Sequence, residues 1–230
     1  EIKNLSLRLG TSLSFDQANS IGASQIALQR LITSTILNQM AEGLIAPGHR
    51  ISLPSIAETL EVSATPVREA LSQLVETGIV TYIPNRGFFV TELNTSEALE
   101  LYELMITLET AAVKQSTFTN AQLAELRLIN LNFTKATHAT ERLKLDMAFH
   151  KCLIKSYTNQ YAHKLIEDIR LRIFIYEHVY MTNMPNETSV KMHNDIIDAL
   201  EQKEVDKAIS ILQDNWNISI NHINQNHHEQ

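Results

Sequence analysis

The hydrophobic positions divide this 230-residue chain into two parts with different periodicity. Between residues 24 and 94, apolar residues first recur at helical spacing and then cluster in two short β-branched and aromatic runs. From residue 97 to about 225, helical spacing continues almost without strand signals, glycine or proline. This pattern predicts a mainly α fold, in which a small domain of helices and a hairpin precedes an all-α helical bundle.

A helix-turn-helix is predicted in the first part. The pattern predicts a first helix at residues 24–44, a short second helix at residues 53–60 and a tight turn at residues 61–63. The helix after the turn has apolar residues at helical spacing and ends at Gly78, a residue that commonly terminates helices. Two helices joined by such a turn are typical of a helix-turn-helix unit.

The third helix has a strong start. Ser63 and Thr65 are both suitable N-caps, since a short hydroxyl can accept a backbone N–H of the first turn. Pro66 then lies in the first turn, where a missing N–H costs little. The opposite face begins with these hydroxyls, Ala64 and Arg68. A short, mostly uncharged tip with one long cation suits the floor of a DNA major groove.

A β-hairpin is predicted directly after this helix. Residues 79–83 and 88–91 are β-branched and aromatic, and the turn between them, residues 84–87, contains Arg86. Two strands with a basic tip beside a helix-turn-helix predict a wing. The predicted organisation is therefore an N-terminal arm at residues 1–23, a winged helix-turn-helix DNA-binding domain at 24–94 and an all-α domain at 95–226.

The second part predicts a bundle of six helices with no internal repeat. Within it, Asp146 and His150 are four residues apart and therefore share one helix face. His193 lies on the next-to-last predicted helix. A carboxylate with imidazoles suits Zn, Ni, Fe or Mn, although the spacing alone does not bring the two helices together. The six stretches are at about 97–117, 120–138, 140–157, 159–182, 187–202 and 204–225.

Composition limits the classes of protein that the chain can belong to. No run of eighteen apolar residues is present, so no membrane span is expected, and no secretory signal pattern opens the chain. The single Cys152 excludes an internal disulfide and fits a cytoplasmic location. The net charge is −7, and residues 24–94 contain four Arg against six Glu, a net of −2. DNA binding would therefore rest on local placement of arginines, and a dimer on a two-fold operator is favoured.

Residues 28–91 resemble the winged-helix domain of GntR-type bacterial transcription regulators. In that family the start of the recognition helix and the wing tip contact DNA, which implies DNA contacts at Ser63, Thr65, Arg68, Arg86 and Gly87. The family usually has an arginine after the serine, where this chain has Ala64, so one contact is expected to be missing. The matching stretches are Ala46-Pro47-Gly48, Val62-Ser63-x-Thr65-Pro66-Val67-Arg68-Glu69-Ala70-Leu71 and Asn85-Arg86-Gly87-x-x-Val90.

Residues 97–225 resemble the FCD effector-binding domain of the FadR-like branch of these regulators, in its shorter VanR-like variant with six helices. In metal-binding members, one Asp and three His hold a metal that helps to hold a small carboxylate effector. The resemblance implies metal ligands at Asp146, His150 and His193. The matching stretches are Tyr102-Glu103-Leu104, Leu108-Glu109, Asp146-x-x-x-His150 and His193-x-x-Ile196-x-x-Ala199.

Two positions depart from this FCD pattern. Asn215 stands where the fourth ligand, a His, is expected, and an amide oxygen ligates more weakly than an imidazole. Met105 replaces a first-helix Arg that is common where an acid is bound, and Arg170 or Arg172 would then compensate. Asp146 and His150 are also compatible with a hydrogen-bonded pair without metal, and His193 with an ordinary core histidine.

The expected function is a homodimeric DNA-binding transcription regulator whose operator binding responds to a small metabolite in the helical domain. Repression relieved by the effector is the usual outcome in the family. Two other classes remain open. One is a metalloenzyme that uses the Asp/His site, which is disfavoured because no separate general base is evident. The other is a protein-interaction module that has lost DNA binding, which Ala64 and the low basicity would allow.

Overall fold

A computed structural model describes the backbone of residues 15–41, 44–180 and 186–227, with side chains for 26–40, 44–177 and 186–225. Within these ranges the chain is mainly helical, with one two-stranded sheet. The elements are α1 (Phe15–Ala41), α2 (Leu53–Thr59), α3 (Ala64–Glu76), β1 (Val80–Ile83), β2 (Gly87–Val90), α4 (Thr95–Gln115), α5 (Asn120–Lys135), α6 (Ala139–Leu153), α7 (Gln160–Tyr180), α8 (Glu187–Glu201) and α9 (Val205–His227).

The predicted fold class is confirmed: a winged helix-turn-helix precedes an all-α bundle of six helices. The bounds of these six helices differ from the predicted ones by a few residues only. The first helix differs more, because α1 begins at Phe15 rather than at residue 24 and ends at Ala41. Part of the predicted N-terminal arm is therefore helical, while residues 1–14 lie outside the described residues.

The apolar stripe of α3 builds the core of the winged helix. Val67, Ala70, Leu71 and Leu74 recur at helical spacing and are buried against α1, α2 and the hairpin. Ser63 occupies the N-cap position, so Pro66 is the third residue of the helix. A proline is tolerated there because the first N–H groups of a helix have no intrahelical partner.

The wing is an antiparallel hairpin that is held to the chain before α2. Val80 pairs with Val90 at its base and Ile83 with Gly87 at its tip, and the turn between them places Asn85 at φ 62°. Arg50 forms an isolated antiparallel bridge with Phe89, which adds a short third segment to the sheet. This bridge fixes the hairpin beside the helix-turn-helix.

The helical bundle forms a second core. Helix α4 packs against α7 and α9, α5 packs against α6 and α8, and α8 packs against α9. Tyr102, Phe149 and Leu153 are among its fully buried side chains. Cys152 is buried with a free thiol, as expected for a small apolar side chain. No helix among the described residues combines the length and the apolar character needed to cross a membrane.

Candidate functional site

The start of α3 is exposed to solvent, as the sequence predicts for a recognition helix. Ser63, Thr65 and Arg68 are all exposed. Ser63 makes no capping bond through its side chain. No ion pair of Arg68 is found among the described residues. The hydroxyls and the guanidinium are therefore available to hydrogen-bond base edges or phosphates.

The wing tip presents a second cation. Arg86 is exposed, and its guanidinium carbon lies 5.3 Å from the centroid of the Phe89 ring, a cation–π contact that limits where the side chain can go. Gly87 has φ +100°, a conformation that side chains rarely adopt. A Cβ at that position would lie 3.5 Å from Nε of Arg50, so a third guanidinium packs against the wing. The sequence motif did not reveal Arg50, because its bridge to Phe89 is a tertiary contact.

The recognition helix and the wing share one open cleft. It has a volume of about 260 Å³ and is lined by Arg68, Ser72 and Val75 of α3 and by Tyr82 and Phe88 of the hairpin. Tyr82 is 47% exposed, and its ring centroid lies 5.0 Å from that of Phe88. Arg68 thus belongs to the same surface as the wing, which is the arrangement that a winged helix needs to contact one duplex with both elements.

The second candidate site lies inside the helical bundle. The structure brings together Asp146 and His150 of α6 and His193 of α8, with one ligand atom from each within 4.8 Å of the others. Oδ1 of Asp146 lies 3.5 Å from Nε2 of His193, and Oδ2 of Asp146 lies 3.8 Å from Nε2 of His150. Residue spacing alone does not bring α6 and α8 together; the packing of the bundle does.

Hydrogen bonds orient both imidazole rings toward Asp146. Nδ1 of His193 lies 3.1 Å from Oδ1 of Asn130. The amide nitrogen of Asn130 donates to the Val190 carbonyl and to Asn194, so its oxygen must be the acceptor and Nδ1 of His193 the donor. Nε2 of His193 then carries the lone pair, and it is buried with no partner at hydrogen-bond geometry among the described residues.

His150 is held in the same way by a buried glutamate. Its Nδ1 lies 2.8 Å from Oε2 of Glu109, which also accepts a 2.6 Å hydrogen bond from Nε1 of Trp216. The other oxygen of Glu109 pairs with Arg170 at 2.8 Å. Burial acts to raise the pKa of Glu109, but the charges and hydrogen bonds of His150 and Arg170 outweigh it and lower that pKa. A carboxylate without a proton makes Nδ1 of His150 the donor, and its Nε2 faces Asp146.

The electrostatics of the two histidines differ. Burial lowers the pKa of His193 well below its ordinary value, and the nearby charge of His150 adds to this effect, so His193 is neutral. Burial also acts to lower the pKa of His150, but the carboxylate of Glu109 reverses the effect and raises it. The ring of His193 stacks on Phe149 with centroids 3.7 Å apart, which fixes its plane.

These residues fit a divalent transition metal. Two imidazole Nε2 atoms and a carboxylate converge, and each imidazole has its other nitrogen hydrogen-bonded to an oxygen. Among the residues that the structure describes, Nε2 of His193 is buried without a hydrogen-bond partner. Asn215, the expected fourth ligand, is buried beside His193, and its amide nitrogen lies 3.9 Å from Sδ of Met192.

The two predicted effector arginines occupy different places. Arg170 reaches the site through its ion pair with Glu109, and its Nε is buried with no hydrogen-bond partner in the part of the chain that the structure describes. Arg172 has other partners, and its binding of an effector stays a prediction. Its guanidinium is committed to Glu97 and to the carbonyl of Gly78, because two residues along a helix turn a side chain to nearly the opposite side.

Comparison with known proteins finds one family model in each part of the chain. Residues 28–90 match the family model described as bacterial regulatory proteins, gntR family, and residues 100–216 match the FCD domain model. The chain is 37% identical over 131 residues to the Nta operon transcriptional regulator of Aminobacter aminovorans, a match that covers 55% of this chain and 62% of the relative, less than two thirds of its length.

Two further matches are similar. The chain is 29% identical over 174 residues to the HTH-type transcriptional repressor RspR of Escherichia coli, which covers 71% of this chain and 74% of that protein. The solved structure of E. coli McbR/YncC superposes with a TM-score of 0.73 at 22% identity, covering 87% of this chain and 98% of that one, and it supports the fold. These relatives are transcription regulators rather than enzymes. The chain therefore belongs to the GntR family of DNA-binding transcriptional regulators and carries an FCD effector-binding domain after its winged helix.

Proposed function

We propose that this protein binds an operator as a homodimer in the cytoplasm and represses transcription until a small carboxylate binds its helical domain. The observation that carries the DNA-binding part is the shared cleft, in which exposed Arg68 of α3 stands beside the hairpin. The proposed DNA contacts are Ser63, Thr65, Arg68, Arg86 and Gly87, all on the start of α3 or at the tip of the wing.

A dimer follows from the small number of cations on each winged helix. Residues 24–94 have a net charge of −2, so one protomer neutralises few phosphates and gains little non-specific affinity. Two recognition helices on a two-fold operator double the number of base and phosphate contacts. Repression is proposed because the relative RspR is described as a transcriptional repressor.

In the helical domain, Asp146, His150 and His193 are the proposed ligands of Zn, Ni, Fe or Mn, with Asn215 as a weaker fourth ligand. A bound divalent metal supplies a Lewis acid that attracts a carboxylate. Arg170 is the proposed second anchor for that carboxylate, because its Nε is buried and has no hydrogen-bond partner within the described ranges. A metabolite with at least one carboxylate is therefore the expected effector class.

Regulation requires that the effector bind one arrangement of the two winged helices more tightly than the other. The bundle and the winged helix are in direct contact through α7, because Ile175 is buried in the core of the winged helix. A conformational change in the bundle can therefore reach α3 through packed side chains of α7.

Native mass spectrometry of protein purified from cells, combined with selection of binding sequences from a random DNA pool, tests this proposal. The expected result is a dimer that carries one metal per chain and enriches a sequence with two-fold symmetry. A monomer that enriches no sequence would reject the DNA-binding proposal. A DNA-binding dimer whose mass and sequence preference are unchanged by metal addition and by chelation would reject only the metal.

A further inference from the structure

Helix α7 is buried on all sides where it passes between the winged helix and the bundle. From residue 169 to residue 177 no side chain is exposed. A helix that is apolar or paired all round lies between two packed bodies rather than on a surface. Two different sets of partners surround this segment, and they belong to different cores.

One face of α7 contacts the candidate ligand site. Arg170, Ile173 and Glu177 recur at i, i+3 and i+7 and therefore share a face. Arg170 pairs with Glu109, whose other oxygen contacts His150. Ile173 lies in the core of the bundle, and Glu177 accepts a 3.3 Å hydrogen bond from the hydroxyl of Tyr102.

Another face of α7 contacts the winged helix. Leu171 and Ile175 pack in the core that contains the apolar face of α3. Arg172 is 5% exposed and forms a bidentate pair with Glu97, at 3.1 Å from Nε to Oε1 and 2.7 Å from Nη2 to Oε2. The hydroxyl of Tyr176, one turn further on, donates a 2.6 Å hydrogen bond to the same carboxylate.

The third nitrogen of the Arg172 guanidinium, Nη1, contacts the chain just after the recognition helix. It donates to the carbonyl of Gly78, which also accepts a 2.7 Å hydrogen bond from Oγ1 of Thr91. Gly78 has φ +74° and joins α3 to β1. One guanidinium therefore links three parts of the chain: the helix α7, the start of α4 at Glu97 and the junction between recognition helix and wing.

We propose that Arg172 is a positioning residue for operator binding, which fixes α3 relative to the bundle and transmits the state of the ligand site to it through α7. The transmission half rests on the proposed function, because it requires a ligand in the bundle. The chain of contacts is short: His150 to Glu109, Glu109 to Arg170, two residues of helix to Arg172, and Arg172 to Gly78. A planar guanidinium suits this position because it binds a carboxylate with two donors and keeps a third for a carbonyl.

The test compares Arg172→Gln with Arg127→Gln in the full-length protein. Arg127 is the control, because it also forms a bidentate pair with a glutamate, Glu201. Both of these residues belong to the bundle, so the pair does not connect it to the winged helix. The probe DNA is a duplex that the wild-type protein enriches from a random pool, and the ligand probe is Zn²⁺ alone. The measurements are DNA affinity with and without Zn²⁺, Zn²⁺ affinity, and amide hydrogen exchange across residues 74–79.

The expected result for Arg172→Gln is a roughly tenfold loss of DNA affinity, within the range typical of coupling between sites, with Zn²⁺ affinity unchanged. Exchange across residues 74–79 is expected to rise, and the ratio of DNA affinities with and without Zn²⁺ to approach one. Arg127→Gln is expected to leave all four quantities at the wild-type value. Arg172→Lys keeps the positive charge but lacks the planar guanidinium that binds a carboxylate with two donors, so its DNA affinity is expected to lie between those of the wild type and Arg172→Gln. It replaces Arg172→Gln if that variant does not fold.

Wild-type DNA affinity and wild-type exchange in Arg172→Gln would overturn the positioning role. An unchanged Zn²⁺ ratio, together with lost affinity, would overturn the transmission half only. If Zn²⁺ has no effect on DNA binding by the wild-type protein, occupation of the metal site does not act on operator binding and the transmission half fails. The positioning role of Arg172 would still be decided by affinity and exchange.

Discussion

Nδ1 of His150 lies 2.8 Å from Oε2 of Glu109, and neither side chain is accessible to solvent. The contact leaves Nε2 of His150 facing Asp146, so the glutamate decides which nitrogen of the imidazole can bind a metal. The same glutamate is the only ion-pair partner of Arg170 among the described residues. Glu109 thus joins the candidate metal site to α7 without being a ligand itself.

Glu109→Gln is expected to weaken Zn²⁺ binding by about 10–100-fold, the range for residues that orient a ligating histidine. It is also expected to lower the free energy of unfolding by about 3–5 kcal/mol, since it leaves the buried guanidinium of Arg170 without its anion. Calorimetric titration and thermal unfolding measure the two effects. Glu125→Gln removes an exposed glutamate paired with Lys155 and is the control; equal losses in both variants would contradict the role of Glu109.

The candidate metal site was only partly predictable from the sequence. The four-residue spacing of Asp146 and His150 indicated that they share a face, and the structure places their side chains together. Glu109 left a weaker signal: it is a single acid between Met105 and Ala112 on a buried stripe of α4. An acid in such a stripe needs a buried partner, but the partner is 41 residues away in the sequence and only the packing of α4, α6 and α7 supplies it.

The elements of the fold were easier to predict from the sequence than the contacts between its two parts. Helical periodicity, caps and turn residues are local, so the hairpin and the six bundle helices could be predicted close to their observed bounds. The start of the first helix was harder to predict, because residues 15–23 are helical but have no clear apolar periodicity. The sequence leaves Arg170 and Arg172 as equal candidates for an effector contact, because it does not say which side of α7 meets the winged helix.

His193→Ala is expected to abolish Zn²⁺ binding, a greater loss than the roughly 10–100-fold effect of an orienting residue. The reason is that Nε2 of His193 is buried and has no hydrogen-bond partner among the described side chains, so its lone pair is available to the ion. Native mass spectrometry after Zn²⁺ addition detects the bound ion. His138→Ala removes an exposed histidine at the start of α6 and is expected to bind Zn²⁺ normally. Retention of stoichiometric Zn²⁺ by His193→Ala would remove this residue from the ligand set.

Arg68→Ala is expected to weaken binding to a selected duplex by about 1–3 kcal/mol if the guanidinium contacts a base, with specificity relaxed at that position. If it contacts a phosphate, the loss is uniform across sequences and the salt slope decreases by about 1. Fluorescence anisotropy at several salt concentrations separates the two cases. Lys164→Ala removes an exposed cation from α7 in the bundle and serves as the charge control. An affinity equal to that of the control would place Arg68 outside the DNA interface.

Glu97 is expected to make the contact between bundle and winged helix sensitive to acid. Partial burial acts to raise its pKa, but the hydrogen bonds from Arg172 and Tyr176 outweigh burial and lower the pKa below its ordinary value of 4.5. A carboxyl group with a lowered pKa contributes stability above the unfolded value, and this stability is lost as the pH falls through the folded value. The wild type should therefore unfold at a higher temperature than Glu97→Gln near neutral pH, with a difference that disappears in acid.

Thermal unfolding as a function of pH measures this difference, and it is expected to close only below pH 4.5, where the folded-state carboxylate takes up its proton. Glu103→Gln, on an exposed position of the same helix, is the control and is expected to follow the wild type throughout. A constant difference between wild type and Glu97→Gln across the whole pH range would show that the charge of Glu97 does not support the contact.

Ala64→Arg is expected to increase affinity for DNA. Ala64 is exposed at the first position of α3, between Ser63 and Thr65, where the resemblance to GntR-type regulators leads us to expect an arginine. A cation at a helix N-terminus costs about 0.3–1 kcal/mol of stability, but one additional phosphate contact makes the salt slope steeper by about 0.9, so the gain in affinity should exceed the cost at low salt. Ala124→Arg adds the same charge at an exposed position of α5. An equal gain in both variants would mean that net charge, rather than a contact at the start of the recognition helix, accounts for the change.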